Sequence, residues 1–412
     1  MEPDEEIPAS PPRRVVVPAG VVDHLRPACD EDLVWEIGPH EARLTVDRLR
    51  KVYVEATGAC NLRCTMCPRQ AWAGSAGHMA DRCYGALLDG LPEAAPDEVT
   101  LAFGGFGEPT IHPDFLDMVA RARHAARRVE LLTNGTTMSA ELARQLAELG
   151  VAQVTVSIDG GEDEAYRAMR GAERGPVADA VATLREHARR GARRMSVGIA
   201  CVLTRQNAAS LPALIEAATR ARADFVSISS IVPHTKALAD STLCDHAVQV
   251  SNMKPDSWRP RLSIGRFDLS DATRPLLDAL LGQVPVVPPP ALDRGEWHNR
   301  CRFSRDGVVA VAWDGRVAPC LSLLYTHSEY LGGREKTVRA FEVGQVEQTP
   351  LRDIWRAAPF RALRDRLRVF DMSPCLSCGG CHISETNEDD CFRTPFPSCS
   401  ECLWAQGLVI CP

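Results

Sequence analysis

The sequence predicts an α/β fold in which a partial (β/α)6, TIM-like barrel follows a small N-terminal β segment and precedes a cysteine-rich C-terminal domain. From about Lys51, continuous apolar runs alternate with amphipathic helical patterns. Continuous runs are typical of parallel strands that are buried on both faces. Nine of the 16 cysteines fall between Cys301 and Cys411, which sets the C-terminal region apart.

The barrel prediction depends on six apolar runs with a helical pattern between each pair. The predicted strands are 52–56, 98–103, 129–133, 151–158, 195–203 and 224–231. The predicted helices are 82–91, 113–127, 139–149, 176–190 and 208–222. Ser139 and the dipeptide Pro113-Asp114 are typical helix start signals. Six parallel strands with right-handed crossovers predict a partial barrel rather than a complete eight-stranded one.

Changes in composition divide the chain into five predicted segments. They are a disordered tail (1–14), a small β-rich segment (15–48), the barrel core (49–235), a Pro-containing connector (236–298) and the cysteine-rich domain (299–412). The β-rich segment is too short to hold a core alone, so it is expected to pack on the main domain or on a partner.

Composition excludes several classes of function. A net charge of -7 provides no basic surface for nucleic acid. No apolar run approaches the roughly 18 residues that suggest a membrane span. The acidic N-terminus lacks the features of a signal peptide, which predicts a cytoplasmic protein whose cysteines stay reduced. Sixteen cysteines then favour metal over disulfides, although Cys29, Cys83, Cys201 and Cys244 are scattered and are expected to be buried small hydrophobes.

The strongest motif is Cys60-x3-Cys64-x2-Cys67, directly after the first predicted strand. Three thiolates on so short a loop can hold three irons of a [4Fe–4S] cluster but leave the fourth without a protein ligand. A zinc site is the alternative, but zinc spacing favours paired Cys-x2–4-Cys hooks. The motif resembles that of the radical S-adenosylmethionine (SAM) superfamily. The resemblance implies that SAM chelates the open iron and is cleaved by an electron from the cluster to a 5′-deoxyadenosyl radical, with these cysteines as the catalytic centre.

Further motifs follow successive strands at the edge where barrel active sites assemble. Gly104-Gly-Phe-Gly-Glu-Pro109 resembles the family's Gly-Gly-Glu motif, with Phe106 in place of its first glycine. The resemblance implies that this motif binds the SAM amino group, the fourth strand binds the ribose, Arg170 pairs with the carboxylate and Met66 lies near adenine. The predicted SAM-binding residues are Met66, Gly107, Glu108, Pro109, Asn134, Ser157, Asp159, Arg170, Thr204 and Asn207. Alone, Asn134-Gly135 and Asp159-Gly160 are ordinary turn dipeptides, and Arg170 alone is typical of a solvated helix residue.

The C-terminal region carries the second motif, Cys301-x13-Gly315-x4-Cys320, around a predicted hairpin. It resembles the SPASM domain, which implies one or two auxiliary [4Fe–4S] clusters that relay electrons or bind substrate. Later cysteines depart from the usual spacing, so the assignment of ligands to clusters stays open, and a zinc ribbon is the alternative. The predicted auxiliary metal ligands are Cys301, Cys320, Cys375, Cys378, Cys381, Cys391, Cys399, Cys402 and Cys411.

The ending, from Asn387 to Pro412, is similar to that of radical SAM maturases associated with tungsten-containing aldehyde ferredoxin oxidoreductases. The resemblance implies modification of a tungstopterin-type cofactor or of its host enzyme, with ferredoxin or flavodoxin as electron donor. One alternative is a maturase that crosslinks a precursor peptide through thioether or carbon–carbon bonds. Another, of a different class, is a non-catalytic iron–sulfur electron-transfer protein.

Overall fold

The structure is a computed structural model. The residues that it describes are 14–16, 33–37, 40–44, 48–72, 76–95, 99–126, 128–190, 194–243, 247–248, 261–264, 267–268, 270–273, 301–331, 334–373, 375 and 381–411. They fall into two compact units, Met1–Arg48 and Leu49–Pro412. Each unit is described by itself.

The N-terminal unit contains a three-stranded sheet. Strand β1 (Arg14–Val16) pairs in parallel with β2 (Leu33–Ile37), and β2 pairs antiparallel with β3 (His40–Leu44). Trp35 lies opposite Ala42 in the antiparallel pair. The small N-terminal β segment expected from the sequence is therefore present, and the expected disordered tail lies almost entirely outside the described residues.

A ten-stranded sheet organises the second unit. The strands of this unit are β4 (Lys51–Val54), β5 (Thr100–Phe103), β6 (Arg128–Thr133), β7 (Gln153–Ser157), β8 (Ser196–Leu203), β9 (Phe225–Ser230), β10 (Ala247–Val248), β11 (Arg261–Ile264), β12 (Phe267–Asp268), β13 (Val308–Val311), β14 (Arg316–Ala318), β15 (His327–Leu331), β16 (Arg334–Val338) and β17 (Gly344–Gln345). Strands β4 to β9 lie side by side, and each pairs in parallel with the next. They are the six predicted barrel strands, so the partial barrel is confirmed.

The sheet continues beyond the six barrel strands at both edges. At one edge β13 pairs in parallel with β4, and the antiparallel strands β14 and β17 follow. At the other edge β11 pairs in parallel with β9. The hairpin predicted within the cysteine-rich region is thus the antiparallel pair β13–β14, and it also extends the barrel sheet. All four residues of β13 are buried because both of its faces are covered.

The described helices of this unit are α1 (Asp81–Ala94), α2 (Phe115–Ala125), α3 (Ala140–Glu148), α4 (Asp163–Arg170), α5 (Arg174–Arg190), α6 (Leu211–Arg220), α7 (Lys236–Ala239), α8 (Arg302–Arg305), α9 (Leu351–Arg356) and α10 (Ala358–Val369). The longer helices pack on one face of the sheet, whereas Phe303 of α8 packs on the other. Helix α3 begins after Ser139, whose Oγ accepts a hydrogen bond of 3.1 Å from the amide of Leu142. None of the described helices is both long and apolar enough to cross a membrane.

The two faces of the sheet pack against different parts of the chain. On β4, Val52 and Val54 belong to the large core beneath the helices, whereas Tyr53 belongs to a second core. That second core also contains Phe303 and Trp404, so the cysteine-rich region covers the face of the sheet opposite the helices. Because side chains alternate along a strand, one short sequence supplies both cores. Most of the predicted connector, with its proline run, lies outside the described residues.

Candidate active site

The three cysteines of the first motif lie on the loop between β4 and a 3-10 helix, Pro68–Ala71, and all three are half-buried. Burial raises the pKa of the Cys64 thiol to about 11; the Arg170 guanidinium acts in the opposite direction, and the charges of Cys67 and Cys60 raise the pKa further. The three thiols are therefore close enough to influence one another. Three neighbouring thiolates that are partly buried are stable only beside positive charge. The irons of a cluster supply that charge, so these three cysteines fit an iron–sulfur cluster.

Helix α4 holds the middle of this loop. The carbonyl of Met169 accepts hydrogen bonds from the amide and the hydroxyl of Thr65, at 2.9 and 3.2 Å. Met66 does not project freely towards a ligand, because it is buried against Met169 and Ile231. The structure thus places Met66 in a small apolar cluster beside the cysteines.

The Gly104–Pro109 loop, after β5, packs tightly on the cysteine loop. A Cβ at Gly107 would lie 1.8 Å from the carbonyl oxygen of Thr57, so only glycine fits at this position. The amide of Glu108 donates a hydrogen bond of 2.8 Å to the carbonyl of Ala59. Pro109 is buried and begins a 3-10 helix that ends at Ile111. The two loops are therefore held in one fixed arrangement.

The Glu108 carboxylate is buried and binds the ends of two strands together. Its Oε1 accepts hydrogen bonds from the hydroxyls of Thr133 and Thr110, at 2.7 and 2.6 Å, and from the Thr110 amide at 3.2 Å. Its Oε2 accepts one from the amide of Asn134 at 2.7 Å. Most of the acceptor capacity of Glu108 is therefore used within the protein.

Asn134 reaches the cysteine loop from the end of β6. Its Nδ2 donates to Asn61 Oδ1 at 2.8 Å and lies 3.8 Å from Cys60 Sγ, while its Oδ1 accepts from the Thr136 amide at 2.9 Å. The sequence predicted Asn134 as a SAM-binding residue, although the dipeptide Asn134-Gly135 alone is an ordinary turn. In the structure it orients the first cysteine.

Asp159 and Arg170 form a buried ion pair next to the cysteines. Arg170 Nε lies 2.6 Å from Asp159 Oδ2, and Asp159 Oδ1 accepts a 2.6 Å hydrogen bond from the Val202 amide. Burial opposes the charge on Arg170, but Asp159 and Cys64 outweigh this effect and raise the pKa of Arg170. The Nη nitrogens of Arg170 have no hydrogen-bond partner within the described part of the chain. Burial raises the pKa of Cys64 and Cys67, and the guanidinium opposes this rise. The Nη groups are therefore available to a ligand at the cysteine loop.

The remaining predicted SAM contacts fall into two classes. Ser157 is half-buried at the end of β7, and its hydroxyl has no hydrogen-bond partner among the residues described, so it is open to a ligand. Asn207 is fully buried, accepts from the Thr204 amide at 2.8 Å, and donates to the carbonyls of Asp159 and Val202 at 2.9 and 2.7 Å. Thr204 is buried with it. These two residues join the ends of β7 and β8 and have little capacity left for a ligand.

Glu55 was not among the predicted site residues; it lies between β4 and the cysteine loop and is only 2% exposed. Burial raises the pKa of its carboxyl to about 7, although a hydrogen bond from Tyr325 acts against this rise. The amide of Phe106 donates to Glu55 Oε1 at 3.2 Å. The Phe106 ring itself packs edge-on against Trp72, with centroids 4.2 Å apart. A carboxylate at the end of an otherwise apolar strand was the available clue.

Four cysteines of the C-terminal region line a single cavity. Cys301 and Cys320 come from the two sides of the β13–β14 hairpin, and Cys399 and Cys402 come from the C-terminal loop. Burial raises the pKa of each thiol, and the charges of the others raise the pKa of Cys320, Cys399 and Cys402 further. The rest of the lining is largely apolar and includes Phe303, Leu323, Leu367 and Trp404. Four thiols around one apolar cavity fit a cluster whose irons are all bound by protein.

Of the other predicted auxiliary ligands, the four that the structure describes are not among the residues that line this cavity. Cys375 is buried beside Ser373, whose Oγ lies 2.8 Å from its Sγ, whereas Cys381 and Cys391 are exposed. Cys411 Sγ accepts a 3.3 Å hydrogen bond from Trp404 Nε1. Cys378 lies outside the described residues. Within the described ranges, no three His, Cys, Asp or Glu side chains converge on a single metal ion. A [4Fe–4S] cluster contains four separate irons, and each thiolate binds its own iron, so the thiolates need not converge on one point.

Comparison with known families agrees with this geometry. The family model of the radical SAM superfamily matches residues 54–218, which contain the cysteine loop and the motifs after β5, β6 and β7. The model of the SPASM iron–sulfur cluster-binding domain matches residues 301–382. Both domains were expected from the sequence, and both expectations are confirmed.

Two relatives illustrate how far the similarity extends. The chain is 29% identical over 374 residues to a tungsten-containing aldehyde ferredoxin oxidoreductase cofactor-modifying protein of Pyrococcus furiosus, which covers 88% of this chain and 97% of that protein. It is 34% identical over 168 residues to the mycofactocin maturase MftC of Mycobacterium tuberculosis, but this match covers only 40% of this chain and 41% of that protein. The similarity to the Pyrococcus furiosus protein therefore spans nearly the whole of that protein, whereas the similarity to MftC spans less than half of it.

Solved structures show the same fold. Streptococcus suis SuiB bound to its precursor peptide SuiA aligns with a TM-score of 0.53 at 14% identity, over 82% of this chain and 72% of that chain. Native anSMEcpe with bound AdoMet aligns with a TM-score of 0.50 at 17% identity, over 81% of this chain and 87% of that chain. The family match and the arrangement of the site set aside the non-catalytic alternative, since they indicate an enzyme that cleaves SAM. The chain therefore carries a radical SAM domain over residues 54–218 and a SPASM domain over residues 301–382.

Proposed function

We propose that this chain is a maturase that reductively cleaves SAM in order to modify a tungstopterin-type cofactor or its host oxidoreductase. The similarity to the Pyrococcus furiosus cofactor-modifying protein supports this proposal, because it spans 97% of that protein and so includes the C-terminal region. A peptide-modifying maturase is the second candidate. The likeness to SuiB with its bound precursor peptide favours it, but at 14% identity that likeness concerns the fold alone.

In this proposal Cys60, Cys64 and Cys67 hold a [4Fe–4S] cluster that supplies the electron for SAM cleavage and keeps one iron for SAM. Arg170 presents its Nη groups to the carboxylate of SAM, and Asp159 fixes the direction of the guanidinium. Ser157 offers a free hydroxyl. A low-potential protein such as ferredoxin or flavodoxin serves as electron donor.

Three other residues take supporting roles in the proposed site. Glu108 accepts hydrogen bonds from Thr110, Thr133 and Asn134, so it shapes the loop more than it binds the SAM amino group. The carbonyls of Phe106 and Gly107, which accept no hydrogen bond from the described residues, are the more available acceptors for that group. Thr204 and Asn207 position β7 and β8.

We assign the cavity lined by Cys301, Cys320, Cys399 and Cys402 to one auxiliary cluster. Four thiolates leave no iron open in that cluster, so its proposed role is to carry electrons rather than to bind substrate. Its apolar surroundings exclude water and so influence its potential. A second auxiliary cluster at Cys375, Cys378, Cys381 and Cys391 stays a prediction.

The Arg170→Met variant is expected to weaken SAM binding and to destabilise the fold, because it leaves the Asp159 charge buried and unpaired. Removing one partner of a buried pair typically costs about 3–5 kcal/mol of unfolding free energy. The double variant Asp159→Asn/Arg170→Met removes both charges, so it should recover stability without recovering SAM affinity. Urea unfolding and equilibrium dialysis with SAM measure the two effects. Equal SAM affinity in wild type and Arg170→Met would contradict the assignment.

The proposed function is tested by SAM cleavage that depends on substrate. Anaerobically reconstituted protein, SAM and dithionite should yield 5′-deoxyadenosine. Addition of a tungsten-containing oxidoreductase or of its isolated cofactor should increase the yield and change the mass of the cofactor or of its host. Stimulation by a precursor peptide encoded next to this gene, with none by the oxidoreductase, would instead establish the peptide-modifying candidate.

A further inference from the structure

Three loops meet around the side chain of Glu55. One is the cysteine loop itself, since Glu55 precedes Cys60 by five residues in the sequence. The second is the Gly104–Pro109 loop after β5, and the third follows Cys320 in the SPASM domain. The Glu55 carboxyl is buried between them. Its contacts therefore join the domain that binds SAM to the domain that binds the auxiliary cluster.

Glu55 fixes the start of the Gly104–Pro109 loop. Its Oε1 accepts a 3.2 Å hydrogen bond from the Phe106 amide. Gly105 has a φ of +141° and packs so closely that a Cβ there would lie 3.1 Å from the Cβ of Glu55. Because the next residues supply the acceptors proposed for the SAM amino group, a displacement of Glu55 would displace that group's binding position.

Tyr325 holds the other oxygen of Glu55. Its hydroxyl donates a hydrogen bond to Glu55 Oε2. Its ring is fixed from two directions: it stacks on Trp72 with centroids 4.3 Å apart and planes inclined by 19°, and the Arg316 guanidinium lies 5.3 Å from its centroid. The phenol therefore cannot turn away from the carboxylate without losing these contacts.

We propose that Tyr325 and Glu55 are positioning residues through which the SPASM domain sets the place of the SAM-binding loop. The path consists of two hydrogen bonds that meet at one carboxylate, from the Tyr325 hydroxyl and from the Phe106 amide. Neither residue touches SAM in this proposal. The inference rests on the proposed binding of SAM at the Gly104–Pro109 loop.

The same arrangement gives SAM binding a dependence on pH. Burial raises the pKa of Glu55 to about 7, and Asp314 also raises it, whereas Tyr325 and the amides of Phe106 and Trp313 lower it. Arg316 faces the Tyr325 ring. Above pH 7 the carboxylate accepts charge-assisted hydrogen bonds, which are roughly twice as strong as those of the neutral acid. Below pH 7 the loop is held less firmly, so SAM affinity should fall as pH decreases through about 7.

Equilibrium dialysis of reconstituted protein with SAM tests the proposal. Tyr325→Phe keeps the stacked ring and removes only the hydroxyl, and it should raise the dissociation constant for SAM by about three- to tenfold, which is at most about 1.4 kcal/mol. Glu55→Gln should bind SAM as weakly at pH 8 as the wild type does at pH 6, with no further change between these values. Because both variants interrupt the same path of hydrogen bonds through Glu55, the double variant should bind SAM no more weakly than either single variant.

Tyr330→Phe is the matched control. Tyr330 also hydrogen-bonds a glutamate, Glu335, but on the β15–β16 hairpin away from Glu55. It should bind SAM as the wild type does. Unchanged SAM affinity in both Tyr325→Phe and Glu55→Gln would overturn the proposal.

Hydrogen exchange provides a readout that needs neither cluster nor SAM. In the apoprotein, the Phe106 amide should exchange faster in Tyr325→Phe and Glu55→Gln than in the wild type or in Tyr330→Phe. Equal exchange in all four proteins would overturn the positioning role. If the wild type binds no SAM, the proposed SAM site fails, whereas the exchange result still decides whether Tyr325 and Glu55 hold the loop.

Discussion

Replacing Cys64 by alanine is expected to reduce 5′-deoxyadenosine formation to the background of protein without a cluster. Cys64 is the central thiol of the loop and lies near both Cys67 and Arg170. Without it, two thiols remain for a cluster that already has one iron without a protein ligand. The measurement is 5′-deoxyadenosine formed from SAM and dithionite, together with iron content.

Cys83→Ala is the matched control for this experiment. Cys83 lies on α1, where it is buried in the large apolar core and is not part of the cysteine loop. Its replacement should lower the unfolding free energy by about 1 kcal/mol and leave iron content unchanged. Sustained SAM cleavage by Cys64→Ala, at normal iron content, would rule out the catalytic assignment of the cysteine loop.

The six barrel strands could be predicted because a parallel strand buried on both faces leaves a continuous apolar run. The predicted run 224–231 contains β9 (Phe225–Ser230), every residue of which is buried. Strand β11 was missed because Arg261-Leu-Ser-Ile264 is short and has no such run. The pairing of β13 with β4 was missed for another reason: these strands are distant in sequence, and only tertiary packing brings them together.

The candidate site was predictable where local spacing carries the chemistry. Cys60, Cys64 and Cys67 lie within eight residues, so one loop presents all three thiols. The ion pair of Asp159 with Arg170 depends on how α4 returns to the end of β7, which no spacing reveals. Glu55 was missed because its function arises from contacts with two loops that lie far away in the sequence.

The auxiliary ligands show the same limit. Cys301 and Cys320 were predicted as ligands from one motif that frames a hairpin, but the sequence left open which of the nine C-terminal cysteines share a cluster. The choice of Cys399 and Cys402 depends on the apolar residues around them. Trp404 and Ala405 line the same cavity, and the apolar segment from Leu403 to Val409 packs into the second core. Hydrophobic packing thus brings together the four thiols that are proposed as ligands.

Replacing Cys402 by alanine is expected to remove the auxiliary cluster and to destabilise the SPASM domain. Iron content should fall by about four atoms per chain, the content of one [4Fe–4S] cluster. The cluster links residues that are distant in sequence, so its loss should lower the unfolding free energy by several kcal/mol. Iron analysis, Mössbauer spectroscopy and thermal unfolding under anaerobic conditions measure these effects.

Cys411→Ala is the control for Cys402→Ala. It tests whether any cysteine replacement near the C-terminus causes loss of iron. Cys411 is hydrogen-bonded by Trp404 and lies outside the cavity of four thiols. Its replacement should therefore retain all iron, and the cluster at the first motif should still respond to SAM in both variants. If Cys411→Ala lost four irons while Cys402→Ala kept them, the ligand set Cys301, Cys320, Cys399 and Cys402 would be wrong. If Cys411→Ala retained its iron and Cys402→Ala lost four irons, the auxiliary cluster would have no iron open to substrate. Its role would then be limited to electron transfer and structural support.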